Sequence, residues 1–281
     1  MKISLKTLVA TAALAVMSLP SLAQVTVPPQ PAPGPVPNVG GPQGSGLVVV
    51  AWDAVRGVSV SQYLGLTMDQ FLPAQANAIT SPLDFGTLGG WSSIFTGSNE
   101  TDIKWALFAG DSTGVGSTSQ RRLMTTSTND TGIAANALAT NNVIATVSDF
   151  TNRLLGTSCN AGLLNPCNAT AVTDPQYAGR LQNNMNDIVG GGPRLPFTNT
   201  SLVGDSMAFW LLTTNTTPTS QSTVSTYGNA LGLGRWLLTA SGGLTYSLPA
   251  VPLPAGVWLL MSGLAGFAAV GRRKNQAQAA A

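Results

Sequence analysis

Arg235-Trp-Leu-Leu-Thr-Ala-Ser-Gly-Gly-Leu-Thr-Tyr-Ser-Leu248 is the stretch that decides the fold. Trp236, Leu238 and Ala240 fall on one face of an extended chain, and Leu244, Tyr246 and Leu248 fall on one face of the next segment. Side chains in a strand alternate with a period of two, so loop length decides whether these two sets share a face. A two-residue loop would put them on opposite faces. A three-residue loop, Ser241-Gly242-Gly243, puts them on the same face, with a glycine taking the left-handed position. The stretch therefore predicts an antiparallel β-hairpin with one buried apolar face.

The same pattern recurs upstream. Leu47-Val-Val-Val-Ala-Trp52 is a short apolar run, and Val58-Ser-Val-Ser-Gln-Tyr63 follows a turn at Arg56-Gly57. Ile103, Trp105, Leu107 and Ala109 share one face of a further segment, and Arg122-Leu-Met-Thr-Thr126 and Met207-Ala-Phe-Trp-Leu-Leu212 read as two more strands. Short strands separated by Gly, Ser, Asn and Asp turns predict a mainly β, antiparallel β-sandwich-like domain over residues 47–248. One helical segment interrupts it. Residues 134–155 place Leu138, Ile144, Val147, Phe150 and Leu154 close to one side, with Asp130 or Thr131 as its cap. Residues 130–196 read as an insertion or helical flank on the sandwich, and a second short helix is expected at 67–72. Residues 24–46, rich in Pro and Gly, lack the apolar content to fold and read as an extended linker.

The two chain ends carry their own signals. Lys2 and Lys6, an apolar run over residues 8–19, and Ser21-Leu22-Ala23 form a secretory signal peptide over residues 1–23, with cleavage before Gln24. At the other end, Val251-Pro252-Leu253-Pro254-Ala255 precedes an uncharged apolar run over 256–271, and Arg272, Arg273 and Lys274 follow at once. With its flanks the run approaches the roughly 20 residues that cross a hydrocarbon core as a helix. The three cations would stop transfer and stay in the cytoplasm, which leaves the proline motif outside. Residues 275–281 form a short tail.

The chain has 13 Lys and Arg against 11 Asp and Glu, but five of the cations and none of the acids lie in the terminal signals. The remainder, 8 basic against 11 acidic residues, is acidic, so the charge balance gives no basic patch for nucleic acid. Only 9% of residues are charged, far below the roughly 25% of ordinary soluble domains. Ser, Thr, Asn and Gly take the surface role, which suits an extracellular setting. Cys159 and Cys167, an even pair behind a signal peptide, read as a local disulfide.

The sequence offers little to catalysis. It contains no histidine, which removes Ser-His-Asp and Cys-His arrangements and the usual zinc sites. No phosphate-binding loop, metal-ligand series or cofactor motif is present, and Gly190-Gly-Gly192 lacks the Lys and Ser/Thr of a phosphate cradle. Two carboxylates could still act as acid and base in a glycoside hydrolase, and Glu100 and Asp102 are the closest pair in sequence. Trp91, after Leu88-Gly-Gly90, is the tryptophan best placed to present an exposed ring to a carbohydrate, although packing is the commoner role for such a ring. The other ectodomain tryptophans occur in strand patterns, where a core role is usual. Asn-x-Ser/Thr occurs at Asn99, Asn129, Asn168, Asn199 and Asn215, a pattern that chance supplies readily in a chain rich in these residues.

Val251-Pro-Leu-Pro-Ala255, the apolar run and Arg272-Arg-Lys274 together resemble the PEP-CTERM sorting domain in its Val-Pro-Leu-Pro-Ala variant. The resemblance implies export through the Sec translocon, signal-peptidase cleavage and a pause in the inner membrane. An exosortase-type membrane protease with a cysteine nucleophile would then process the chain near the proline motif. It further implies a destination at the cell surface or in the extracellular matrix of a Gram-negative bacterium, in association with exopolysaccharide or biofilm. On that reading Val251 to Ala255 are recognised and catalyse nothing. Leu253 stands where the commonest motif has glutamate, and the tail runs past the basic cluster. A single-pass anchor that is never cut is the plainer alternative. For the ectodomain, a non-enzymatic matrix protein, a carbohydrate-binding module and a carboxylate-based hydrolase are the three expectations, in that order.

Overall fold

A computed structural model of the chain describes residues 46–111, 121–131, 140, 141, 143, 144, 147, 167–174, 176–179, 200–215, 217, 219–250 and 262. The chain divides into two compact units, Met1–Leu248 and Pro249–Ala281.

The first unit is mainly β, and all its described strand pairs are antiparallel. In chain order the described strands are β1 (Gly46–Asp53), β2 (Val58–Thr67), β3 (Leu83–Thr87), β4 (Ile103–Asp111), β5 (Arg122–Ser127) and β6 (Cys167–Ala169). They continue with β7 (Ser201–Leu202), β8 (Ser206–Thr213), β9 (Thr223–Thr226), β10 (Gly228–Asn229), β11 (Gly232–Leu233), β12 (Arg235–Leu238) and β13 (Gly243–Ser247). Eleven of them form one sheet along the path β3-β13-β12-β8-β5-β4-β1-β2-β6, with β7 on β4 and β9 on β8, while β10 and β11 form a separate ribbon. The five strands expected in the apolar runs are all present.

The sandwich expectation rested on two facing sheets, whereas these strands follow one hydrogen-bonded path that curls. The segment leaving β3, at one end of the path, closes the curl. Leu88 N donates to Gly242 O at 2.9 Å, beside β13, while Gly89 N donates to Gln62 Oε1 on β2 at 2.8 Å. Arg56, in the β1–β2 turn, donates through Nη1 to Ile94 O at 3.1 Å. Strands from opposite ends of the path are thus tied to one connecting segment.

Both faces of the sheet are covered along β1, β4, β5 and β8, which explains why β1 reads as an unbroken apolar run. Leu47, Val49 and Ala51 face the inner core with Trp105, Leu107, Phe209 and Trp236. Val48, Val50 and Trp52 face the outer core with Phe108, Trp210 and Leu212. The outer core is where the helical segment packs. Thr140, Asn141, Val143, Ile144 and Val147 are helical, and Val143, Ile144 and Val147 are buried against the sheet. The rest of the segment expected at 134–155 lies outside the described residues. The short helix expected at 67–72 is a single 3-10 turn, Asp69–Phe71, because β2 continues to Thr67.

The deciding hairpin forms with a shifted loop. Trp236 pairs with Tyr246 and Leu238 with Leu244, so both apolar sets do share one face. The loop is Ala240-Ser241-Gly242 rather than Ser241-Gly242-Gly243. Gly242 N donates to Thr239 O at 2.8 Å and Thr239 N donates to Gly243 O at 2.9 Å, which brings Gly243 into the ladder. Gly242 has φ +84°, and this kind of loop needs its left-handed residue at the last loop position. Gly242 fills that position and the loop moves back by one.

Candidate functional site

Three ionisable side chains converge at the inner face of the sheet. Asp111 ends β4, Arg122 begins β5, and the two stand directly opposite each other in the ladder. Asp69 arrives from the turn after β2. Arg122 Nη1 donates to Asp69 Oδ1 at 2.6 Å, while Nε and Nη2 donate to Asp111 Oδ2 at 3.2 and 2.9 Å. The Asp111 and Arg122 side chains are 2% and 9% exposed, and that of Asp69 is 37% exposed. Burial works to lower the Arg122 pKa, but hydrogen bonds and charge from Asp69 and Asp111 outweigh it and hold the guanidinium above its ordinary value.

This cluster lies beside an aromatic core. Phe71, two residues past Asp69, stacks on Tyr227 at a centroid distance of 5.5 Å and meets Tyr246 edge-on at 5.1 Å. It also contacts Trp236 at 5.3 Å and Phe209 at 6.0 Å. Tyr227 Oη donates to Phe71 O at 2.8 Å, which fixes the segment that carries Asp69. Burial pushes the Tyr227 phenol far above its ordinary pKa, with Tyr246 adding to the shift and Arg122 opposing it. Trp236 Nε1 and Tyr246 Oη are buried with no hydrogen-bond partner, a desolvation cost that the surrounding ring packing offsets.

The arrangement suits a structural ion pair better than an acid–base pair. A glycoside hydrolase places two carboxylates on either side of a bound sugar and keeps one of them protonated. Here both carboxylates are engaged by the same guanidinium, which occupies the space a sugar and its attacking water would need. The expected pair fares no better. Glu100 and Asp102 occupy a 3-10 turn before β4, and Asp102 Oδ2 accepts from Asn99 Nδ2 at 3.1 Å. Every described aspartate has such a partner. Asp53 Oδ1 accepts the amides of Val55 and Arg56, Asp84 that of Gly86, and Asp174 that of Gln176. Asp130 binds Arg235, and Asp205 accepts from the Ser201 hydroxyl. Among the described residues no three His, Cys, Asp or Glu side chains gather as metal ligands.

Trp91 corrects the carbohydrate expectation. Its side chain is 5% exposed, packs on Phe95 at 4.5 Å and donates from Nε1 to Ala240 O at 3.0 Å. Gly90 does not open a loop; it precedes a helical turn, Trp91–Phe95, whose apolar residues 91, 94 and 95 all face inward. Trp52, Trp105, Trp210 and Trp236 are also buried.

Of the cysteine pair, Cys167 is buried at the start of β6, and Cys159 lies outside the described residues. No disulfide occurs among the described residues. The motif Val251 to Ala255 and the cluster Arg272, Arg273, Lys274 also lie outside them. Ser262, in the expected membrane-crossing run, is helical. Among the described residues no helix is long and apolar enough to cross a membrane. The Asp69–Arg122–Asp111 cluster escaped sequence reasoning, although an acid ending one strand and a base opening the next was a signal for it.

No family model, curated protein or solved structure matches the chain. The functional reading therefore rests on its own residues.

Proposed function

We propose that the chain is a non-enzymatic exported protein whose β-rich unit is delivered to the cell surface or extracellular matrix by a C-terminal sorting signal. The observation that carries this reading is the ordered C-terminal triplet of Val251-Pro-Leu-Pro-Ala255, an uncharged run and Arg272-Arg-Lys274, opposite an N-terminal signal peptide. A membrane accepts the apolar run and resists the cations behind it. The division of the chain after Leu248, three residues before the motif, supports treating the two parts as cargo and signal. The curled sheet, whose strands share one inner core, supports a sandwich-like ectodomain.

The non-enzymatic reading draws support from the lack of histidine and from the structural partners of the described aspartates. The buried tryptophans count against a carbohydrate platform built on those rings, so contact with exopolysaccharide is assigned to the polar surface.

Fractionation tests the proposal. With an epitope placed after Gln24, the processed species should leave the inner-membrane fraction and run shorter than the unprocessed precursor. Full-length protein that persists in the inner membrane would mean an uncut anchor instead.

A further inference from the structure

Five Asn-x-Ser/Thr triplets occur in the chain, and the structure treats them very differently. Asn99 donates its carboxamide to Asp102 Oδ2 at 3.1 Å. Asn168 lies within β6, paired with Val60, and its carboxamide packs so closely on Gly90 that a β-carbon there would fall 2.4 Å from Nδ2. Asn199 and the middle residue of the Asn215 triplet lie outside the described residues.

Asn129-Asp130-Thr131 stands apart. It forms an exposed turn directly after β5. Asn129 N donates to Ser127 Oγ at 2.9 Å. Asn129 Oδ1 accepts from Thr131 N at 2.9 Å and from the Thr131 hydroxyl at 2.7 Å. Asp130, between them, is held by Arg235 at the start of β12. The triplet is thus fixed at both its neighbours, and its carboxamide is fixed through oxygen alone. Asn129 is exposed, and the threonine hydroxyl is locked onto its amide group. A sequon presents a usable acceptor only where the triplet is exposed and the hydroxyl can reach the asparagine side chain, and this turn meets both conditions.

We propose that Asn129 is an N-glycosylation site of the exported chain, with a polyprenyl-diphosphate-linked saccharide as donor and a membrane oligosaccharyl transferase as catalyst. Asn129 Nδ2 forms a bond to the anomeric carbon of the saccharide. The bond from that carbon to the diphosphate oxygen breaks, and its electron pair leaves with the polyprenyl diphosphate. One Nδ2 proton passes to a carboxylate base of the transferase. Thr131 acts as a positioning residue. A sugar here would extend into solvent from the rim of the sheet and would add polar bulk to a surface poor in charge. The assignment rests on the export reading, since the donor is met only at the membrane.

Peptide mass spectrometry of the protein isolated from its own cells tests it, alongside N129Q, T131V and T131S variants. The expected result is a saccharide mass on the peptide containing Asn129, lost in N129Q and T131V and kept in T131S, with all variants giving the native near-ultraviolet circular dichroism. A chain that begins at Gln24 and carries a bare Asn129 would overturn this assignment alone, as would a modification that survives N129Q. A full-length chain that retains residues 1–23 would overturn export and this assignment together.

Discussion

The indole of Trp91 lies across Gly242: a β-carbon at Gly242 would fall 2.4 Å from Trp91 Cγ, and Trp91 Nε1 donates to Ala240 O in the same loop. The tip of the last hairpin and the helical turn after β3 are therefore one packed unit. The glycine is needed twice, for its positive φ and for the space its missing side chain leaves to the ring.

Trp91→Ala should accordingly destabilise the domain by about 3–5 kcal/mol, the usual cost of removing a large buried ring. Gly242→Ala should cost at least the roughly 1–2 kcal/mol of a left-handed non-glycine residue, because the new methyl also meets the indole. Urea unfolding followed by tryptophan fluorescence measures both. An unchanged midpoint for Trp91→Ala would place the ring outside the core.

A second prediction concerns the buried cation. Arg122→Leu leaves Asp111 buried without its main charge partner and should destabilise by about 3–5 kcal/mol. Asp69→Asn removes a half-exposed partner and should cost about 1 kcal/mol or less. Equal losses in the two variants would mean that the acids are not distinguished by burial.

All four tyrosines are held in their neutral form. Burial pushes Tyr63 up to about 12 and raises Tyr177, Tyr227 and Tyr246 above their ordinary value of 10.0. A raised folded-state pKa means that the unfolded chain loses its proton first. Stability is therefore fully present below pH 10 and falls as the pH rises above it. The tyrosinate absorbance of the native protein should lag that of the denatured chain and then rise together with unfolding. A native titration centred at the ordinary value would contradict the burial.

The cysteine pair gives a fourth prediction. If Cys159 and Cys167 are joined, as the sequence expectation of an even cysteine pair has it, the protein unfolded in denaturant should show no reactive thiol until it is reduced. Reduction should lower stability by about 2–3 kcal/mol for so short a loop. Two reactive thiols in the unreduced, unfolded protein would rule the bridge out.

The strands were readable because their apolar residues repeat locally. Ile103, Trp105, Leu107 and Ala109 share one face whatever their partners are. The single curled sheet was not readable, because it depends on β13 pairing with β3 and β8 pairing with both β5 and β12, contacts between segments far apart in the chain. Register hinged on a detail of the same kind, since either of two glycines could have taken the left-handed position and the backbone bonds of Thr239 chose Gly242. The ionic cluster was half readable. Asp111 and Arg122 lie at the facing ends of neighbouring strands, while Asp69 reaches them only because Phe71 anchors its turn in the aromatic core. The exposed-ring alternative for Trp91 came from Gly89-Gly90, which suggests a loop, whereas the spacing of Trp91, Ile94 and Phe95 describes one apolar face of a helical turn and agrees with the packing role.

Intact-mass spectrometry of the mature protein tests the central claim most directly, since it reads both chain ends at once. The account predicts a chain that starts at Gln24 and ends at or near the Val251 to Ala255 motif, without the apolar run and the three cations. A chain with Met1 and Ala281 both in place, recovered from the cytosol, would contradict it.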